Sequence, residues 1–303
     1  MTEVATNAAV DLPFTEFYDP SSSASSTNTG TPVVILHGLL GSKRNFATLA
    51  KSLGNRLDLK RRILAVDLRN HGEHGKANWQ DDMSYTSMAE DVATFLQQQK
   101  LDKVIVVGHS MGGKVAQTLA LQQPQLVEGL VVLDMAPVTY SPEEPHWQAV
   151  TSIIQTLQSI TTSTDDGEPL TKQTVDRKLQ STIPDPALRG FCLTNWDNRN
   201  NEWAIPVDKI ARQLDVLAGF DISTLATTQV NGDAPKEQEP LQYHGDTFFI
   251  HGGQSKFVRS AHMSAIAGYF PNHMLTTIRG AGHWVHAEAP DATIALLKRY
   301  LDR

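Results

Sequence analysis

Short runs of valine, isoleucine and leucine alternate along this chain with segments in which apolar residues recur every three or four positions. Such short runs, rich in β-branched and aromatic residues, are typical of strands buried on both faces, and they predict strands at residues 33–36, 63–66, 104–107, 130–133, 247–250 and 275–278. The intervening spacing predicts helices around residues 46–53, 88–96, 115–121 and 294–301. This alternation predicts an α/β fold with a mostly parallel, doubly wound sheet.

Residues 138–241 break the alternation. They are rich in polar residues and proline, with helical spacing at 150–157 and 210–217. They leave the predicted sheet after one strand and return before the next. We therefore predict one α/β core, residues 1–137 and 242–303, with residues 138–241 inserted as a helical lid.

Two polar segments are interpreted as surface loops. Residues 21–31 are a low-complexity run of serine, threonine and similar residues, and residues 226–246 are rich in threonine, glutamine, glutamate and proline. Neither segment is assigned a function.

The pentapeptide Gly-His-Ser-Met-Gly at residues 108–112 follows a predicted strand and precedes a predicted helix. A tight turn between strand and helix places Ser110 at its apex, and the flanking glycines have no side chain that would clash as the turn closes. A match to five residues alone also occurs by chance. The flanking elements and the partners further along the chain favour a nucleophile elbow that exposes the Ser110 hydroxyl above the sheet.

A serine hydroxyl is a weak nucleophile and needs a neighbouring base. Among eleven histidines, His283 has the best position, since it follows the last predicted strand and precedes the terminal helix. That is the same carboxyl edge of the sheet as Ser110. His286 is the nearest rival and is interpreted as a surface histidine in the first turn of the next helix.

The base in turn needs a carboxylate to orient it. The loop after strand 247–250 offers none, because no aspartate or glutamate occurs from Thr247 to His286. Asp134 directly follows strand 130–133, so it is the predicted catalytic acid, with a helix or turn cap as its alternative role. Asp208, in the lid, is the second choice.

Acyl transfer also needs donors for the developing oxyanion, and backbone N–H groups commonly supply them. The first predicted donor is Met111, the residue after the nucleophile. The second is Leu39, in the glycine-rich segment 37–42 that follows strand 33–36. Glycines at 38 and 41 would let this backbone approach a substrate.

Charge and composition limit the kinds of partner and compartment that are expected for this protein. A formal charge of −7 without a long basic cluster argues against nucleic acid. Cys192, the single cysteine, is interpreted as a small buried hydrophobe in a reducing compartment. No apolar run approaches the roughly 18 residues of a membrane span. The sequence favours a cytoplasmic location, with a mitochondrial one left open if a presequence has been removed. It does not predict the oligomeric state.

Other patterns predict no cofactor and no metal. His71 and His74 lack a third ligand at a recognisable spacing. The elbow lacks the Gly-Lys-Ser or Gly-Lys-Thr ending of a phosphate-binding loop. The segment Asp-Leu-Arg-Asn-His-Gly at residues 67–72 is expected to make structural hydrogen bonds near the same edge of the sheet.

Six motifs carry a resemblance that runs from about residue 32 to the C-terminus: His-Gly-Leu-Leu-Gly-Ser at 37–42, Asp-Leu-Arg-Asn-His-Gly at 67–72, Gly-His-Ser-Met-Gly-Gly-Lys at 108–114, Asp-Met-Ala-Pro-Val at 134–138, Gly-Gly-Gln-Ser at 252–255 and Gly-His-Trp-Val-His-Ala at 282–287. With these motifs the chain resembles the α/β hydrolases, and within them the small serine esterases of the abhydrolase-domain eleven type, their bacterial acyl esterase relatives and the yeast ethanol acetyltransferases. The resemblance implies the α/β-hydrolase fold and agrees with Asp134 as the acid. The lid is less similar, which leaves the acyl group and its acceptor open.

These features predict a cofactor-independent serine hydrolase that cleaves a short- or medium-chain acyl ester or thioester, a small-molecule substrate, through an acyl-enzyme. An alcohol acyltransferase with the same Ser110, His283 and Asp134 is the first alternative, because a lid that excludes water and admits an alcohol would yield an ester. A ligand-binding protein that keeps the fold but reacts slowly is the alternative of another class.

Overall fold

The computed structural model describes residues 9–20, 29–75, 79–160, 170–220, 222 and 241–303. Most of the predicted loop residues 21–31 and 226–246 lie outside these ranges. The strands are β1 (Phe14–Tyr18), β2 (Gly30–Leu36), β3 (Arg61–Val66), β4 (Val104–His109), β5 (Val127–Leu133), β6 (Trp196–Asp197), β7 (Glu202–Trp203), β8 (Asp246–Gly252) and β9 (His273–Ile278). The helices are α1 (Ala47–Arg56), α2 (Tyr85–Gln98), α3 (Met111–Gln122), α4 (Pro145–Ser159), α5 (Lys172–Leu179), α6 (Pro186–Cys192), α7 (Val207–Arg212), α8 (Leu214–Ala218), α9 (Met263–Tyr269), α10 (Val285–Glu288) and α11 (Pro290–Leu301).

Within the described ranges, seven strands form one sheet in the order β1-β3-β2-β4-β5-β8-β9. Its neighbouring strands pair in parallel, except that β1 is antiparallel to β3. The predicted mostly parallel sheet is therefore confirmed. Strands β6 and β7 form a separate antiparallel pair.

Side chains of the central strands alternate between two apolar clusters, one on each face of the sheet. In β2, Val34 and Leu36 join the cluster that contains residues of α2 and α3, whereas Val33 and Ile35 join the cluster that contains residues of α1 and α11. Strands covered on both faces need apolar side chains at every position, which explains the continuous apolar runs.

Strand β9 departs from the expectation of full burial. It is the last strand in the sheet order, and five of its six residues keep exposed surface. An edge strand has a neighbour on one side only, so the prediction of a fully buried strand at residues 275–278 is wrong. In addition, the helical spacing at 210–217 corresponds to two short helices, α7 and α8.

Helices α4 to α8 lie between β5 and β8 in the chain, and α8 is tied to the core by a buried lysine. Nζ of Lys114, in α3, donates to the carbonyl oxygens of Ala218 at 2.8 Å and Gly219 at 2.6 Å. Carbonyls at a helix C-terminus carry partial negative charge and suit such a donor. Burial holds the pKa of Lys114 well below its ordinary value. None of the described helices combines the length and hydropathy that a membrane span needs.

Candidate active site

Ser110 occupies the turn between β4 and α3, with φ of 53° and ψ of −120°. A positive φ is uncommon for a residue other than glycine and costs conformational free energy. The neighbouring glycines leave no room for side chains: a Cβ on Gly108 would lie 2.2 Å from the carbonyl oxygen of Gly112, and one on Gly112 would lie 2.5 Å from that of His37. Close packing of these backbones thus holds Ser110 in the turn.

Three side chains from the ends of separate strands form one chain of hydrogen bonds. Nε2 of His283 lies 2.9 Å from Oγ of Ser110, and Nδ1 lies 2.7 Å from Oδ2 of Asp134. An ionised carboxylate can only accept, so the Nδ1–H of His283 donates to Asp134 and leaves the Nε2 lone pair for the Ser110 hydroxyl. The structure therefore brings together the candidate nucleophile, base and acid in the geometry that such chemistry requires.

Asp134 directly follows β5, and its side chain is completely buried. Its Oδ1 accepts the backbone N–H of Gly252 at 3.0 Å, and its Oδ2 accepts the hydroxyl of Ser255 as well as His283. These donors compensate the carboxylate for lost water. Gly252 ends β8, and Ser255 follows in the next loop. This loop contains no carboxylate, so the sequence predicts no catalytic acid there. Ser255 was missed as a partner of the acid; its signal was a hydroxyl after the strand that neighbours β5.

The turn that contains Leu39 packs directly against the elbow. The N–H of Gly41 donates to the carbonyl of Gly38 at 3.0 Å. A Cβ on Gly38 would lie 2.9 Å from Nδ1 of His109 and 3.0 Å from Cβ of Ser110, so glycine allows this close approach without displacing either side chain. Met111 is the first residue of α3, and its N–H has no acceptor within the helix. The structure thus places both candidate oxyanion donors beside Ser110.

Two buried histidines hold the backbone around the site. Nε2 of His109 lies 3.0 Å from the carbonyl oxygen of His283. Nε2 of His37 accepts the N–H of Leu68 at 3.0 Å, so Nδ1 carries the proton and donates to the carbonyl of Gly38 at 2.8 Å. Burial lowers the pKa of both rings. They are neutral and serve as fixed hydrogen-bonding groups.

His286 is half-buried, whereas the sequence suggested a surface residue. Its ring stacks on Phe46 with the centroids 4.4 Å apart and meets His109 edge-on at 4.5 Å. Burial lowers its pKa to about 3. The imidazole that contacts Ser110 is that of His283.

The segment 67–72 makes structural contacts. Asp67 forms a 2.6 Å ion pair with Lys43, and Arg69 forms a 2.6 Å ion pair with Asp91, all four side chains being buried. Of the described residues that line the cavity at Ser110, none belongs to this segment.

A cavity of about 290 Å³ opens at Ser110. This volume is near the lower end of the range of about 300–1,000 Å³ for small-molecule sites. The Leu39 turn, the elbow and residues of α4, α6 and α8 form its walls. The described residues that line it include no aspartate, glutamate, lysine or arginine. Because a buried charge needs a partner, this cavity favours an uncharged ligand.

Two other residues considered from the sequence lie apart from this chain of hydrogen bonds. Asp208 is exposed in the first turn of α7. Cys192 is buried in α6, and burial raises the pKa of its thiol to about 12. Among the described residues, no three histidine, cysteine, aspartate or glutamate side chains are grouped so that they could hold a metal ion.

Known proteins resemble this chain in sequence and in structure. A family model described as the alpha/beta hydrolase fold matches residues 31–290. The sn-1-specific diacylglycerol lipase ABHD11 of Mus musculus is 36% identical over 85% of this chain and 76% of its own length. Ethanol acetyltransferase 1 of Wickerhamomyces ciferrii is 30% identical over 86% of this chain and 65% of its own. A solved structure of a marine microorganism esterase is 30% identical, with a TM-score of 0.80 over 97% of this chain and 100% of that one.

Proposed function

Because the chain belongs to the alpha/beta hydrolase fold family, we propose that it is a serine hydrolase that cleaves short- or medium-chain acyl esters or thioesters through an acyl-enzyme. The observation that carries this proposal is the chain of hydrogen bonds from Ser110 through His283 to Asp134. The uncharged cavity of about 290 Å³ supports a small, neutral acyl substrate.

In this mechanism, Oγ of Ser110 attacks the carbonyl carbon while its proton passes to Nε2 of His283. The N–H groups of Leu39 and Met111 stabilise the resulting oxyanion. The bond to the alcohol or thiol then breaks, and His283 protonates the leaving oxygen or sulfur. Water attacks the acyl-enzyme in the same way, giving its proton to His283, and the carboxylic acid leaves. Asp134 remains ionised and stabilises the imidazolium.

We also propose that residues 138–241 act as the lid of a core formed by residues 1–137 and 242–303. Support comes from the described helices α4, α6 and α8, which contribute to the cavity wall. An apolar lid over Ser110 would limit access of water and select the acyl chain.

An alcohol acyltransferase is the second candidate, favoured by the similarity to ethanol acetyltransferase 1. It would use the same acyl-enzyme, with an alcohol in place of water as the second nucleophile. The two activities differ only in which acceptor reaches the acyl carbon.

The experiment that tests the proposal measures kcat/KM for acetyl to dodecanoyl nitrophenyl esters and for matching acyl thioesters, with and without ethanol. We expect turnover that is highest for short or medium chains, because the cavity is small. Formation of ethyl esters in the presence of ethanol would assign acyl transfer. No turnover, together with no labelling of the folded protein by a fluorophosphonate, would favour the ligand-binding alternative.

Ser255→Ala is expected to lower kcat by about 10- to 150-fold, because a hydrogen bond to a charged group contributes about 1.5–3 kcal/mol. The bond lost is the one from Ser255 to Oδ2 of Asp134. Steady-state kinetics should place the change in kcat rather than in KM. Ser260→Ala is the matched control, since Ser260 is exposed further along the same segment. Equal kcat values for the two variants would contradict a role for Ser255 in holding the acid.

A further inference from the structure

His146 is a lid residue in the cavity wall that the steps above do not use. It lies in the first turn of α4. The other described lid residues that line the cavity are apolar or aromatic, apart from the thiol of Cys192. His146 is therefore the one imidazole that the described part of the lid offers to a ligand.

Aromatic contacts fix the position of His146 relative to the base. Its ring meets Phe257 edge-on with the centroids 4.9 Å apart, and Phe257 lies against His283 at 4.1 Å. Tyr140 also meets the His146 ring edge-on, at 5.3 Å. His146 is thus held on the His283 side of the cavity, one aromatic ring away from the base.

The charged groups around His146 determine which ring nitrogen carries the proton and which one accepts a hydrogen bond. Nε2 is buried, lies 3.8 Å from Oε2 of Glu144 and makes no hydrogen bond within the described residues. Oε1 of Glu144 accepts from Arg259, whose side chain also approaches His262. Burial lowers the pKa of His146 below its ordinary value despite the opposing effect of Glu144. The ring is neutral at pH 7, with one donor nitrogen and one acceptor nitrogen.

A neutral ring with Nε2 next to a carboxylate is most stable when Nε2 carries the proton. Nδ1 is then an acceptor, and a hydroxyl is the group that it would recognise. In the proposed reaction the alcohol portion of the ester must lie beside His283, since His283 protonates the leaving oxygen. The hydroxyl in question therefore belongs to the alcohol portion and not to the acyl chain.

We propose that His146 determines leaving-group specificity: its Nδ1 accepts a hydrogen bond from a hydroxyl on the alcohol portion of the ester. This inference rests on the proposed function. It specifies the substrate class as esters whose alcohol portion carries a second hydroxyl, while the apolar surfaces of the cavity take the acyl chain.

The test compares two esters that differ by one group, 2-hydroxyethyl butyrate and propyl butyrate. Wild-type protein should have the higher kcat/KM for the hydroxyethyl ester. His146→Phe should lower the ratio of the two kcat/KM values by about 3- to 10-fold, the effect of one neutral hydrogen bond. Its kcat/KM for propyl butyrate should fall less than that for the hydroxyethyl ester, since propyl butyrate makes no such bond. His146→Gln keeps an acceptor and should lose less of the ratio.

His262→Phe is the matched control, because His262 meets the same Tyr140 ring at 5.9 Å but does not line the cavity. It should leave the ratio unchanged. An equal fall for both esters in His146→Phe would show a packing role only, and an unchanged ratio would show that His146 does not contact the alcohol portion. Either result overturns the inference and leaves the proposed function intact. Failure of the wild type to cleave either ester or to react with a fluorophosphonate would instead overturn the proposed function.

Discussion

Ser110→Ala is expected to lower kcat by about 10⁴- to 10⁶-fold for any ester that the protein cleaves. The loss is large because the Ser110 hydroxyl is the group 2.9 Å from Nε2 of His283, and alanine leaves the base nothing but water to activate. The N–H groups of Leu39 and Met111 remain, so a residual acceleration of about 10³-fold over the uncatalysed reaction should persist. The measurement is kcat with the best nitrophenyl ester of the series.

Fluorophosphonate labelling provides a second readout for the same variant. The probe forms a bond to the nucleophilic oxygen, so Ser110→Ala should lose labelling completely. Ser152→Ala is a matched control, because Ser152 is exposed on α4 and its removal should leave kcat within about twofold of wild type. Thermal unfolding checks that both variants fold. A folded Ser110→Ala protein that keeps its turnover would exclude Ser110 as the nucleophile.

The central sheet could be predicted because its strands are buried on both faces. Runs such as residues 104–107 and 130–133 have apolar side chains at every position, and the structure extends them to β4 and β5. Strand β9 contains two threonines, Thr276 and Thr277, and lies at the edge of the sheet. Whether a strand lies at an edge depends on the sheet order, which local periodicity does not encode.

The candidate site could be predicted in part because parallel strands have their carboxyl ends at one edge of the sheet. Ser110, Asp134 and His283 each follow a strand, and the structure brings them within hydrogen-bond distance. Ser255 belongs to the Gly-Gly-Gln-Ser motif, but its contact with Asp134 could not be predicted from that motif, and neither could the contact of Phe257 with His283. These contacts arise from the packing of side chains far apart in the sequence, which no local motif reveals.

The surroundings of His286 also depend on residues far away in the sequence. A histidine in the first turn of a helix usually faces water, but here the ring fits between Phe46 and His109. Phe46 precedes α1 and His109 ends β4, so this burial requires two segments that lie more than a hundred residues earlier in the chain. The sequence of residues 282–287 alone therefore could not predict that Phe46 and His109 pack against this ring.

Asp134→Asn is expected to lower kcat by about 10³- to 10⁴-fold with little change in fold. The replacement has nearly the same shape, but its amide has one oxygen and one NH₂ group in place of two accepting oxygens. The backbone N–H of Gly252 donates to Oδ1 at 3.0 Å and requires an acceptor there. The asparagine oxygen will therefore occupy the Oδ1 position, and the NH₂ group will face His283.

That orientation reverses the tautomer of the base. The NH₂ group of the asparagine donates to Nδ1 of His283, so the ring proton moves to Nε2, which can no longer accept the proton of Ser110. The negative charge that stabilises the imidazolium is lost as well. Both effects act on the chemical step, so kcat should fall far more than KM rises. The pH dependence of kcat should also change, since the variant is active only in its minor tautomer.

Asp208→Asn distinguishes this explanation from a general effect of removing an acidic group. Asp208 is exposed in the first turn of α7, so its replacement should change kcat by less than about twofold. The ranking of the two variants decides which carboxylate orients the base, because both lose one charge and keep nearly the same side-chain shape. A larger loss in Asp208→Asn than in Asp134→Asn would mean that the lid supplies the acid and that Asp134 only holds the loop after β8.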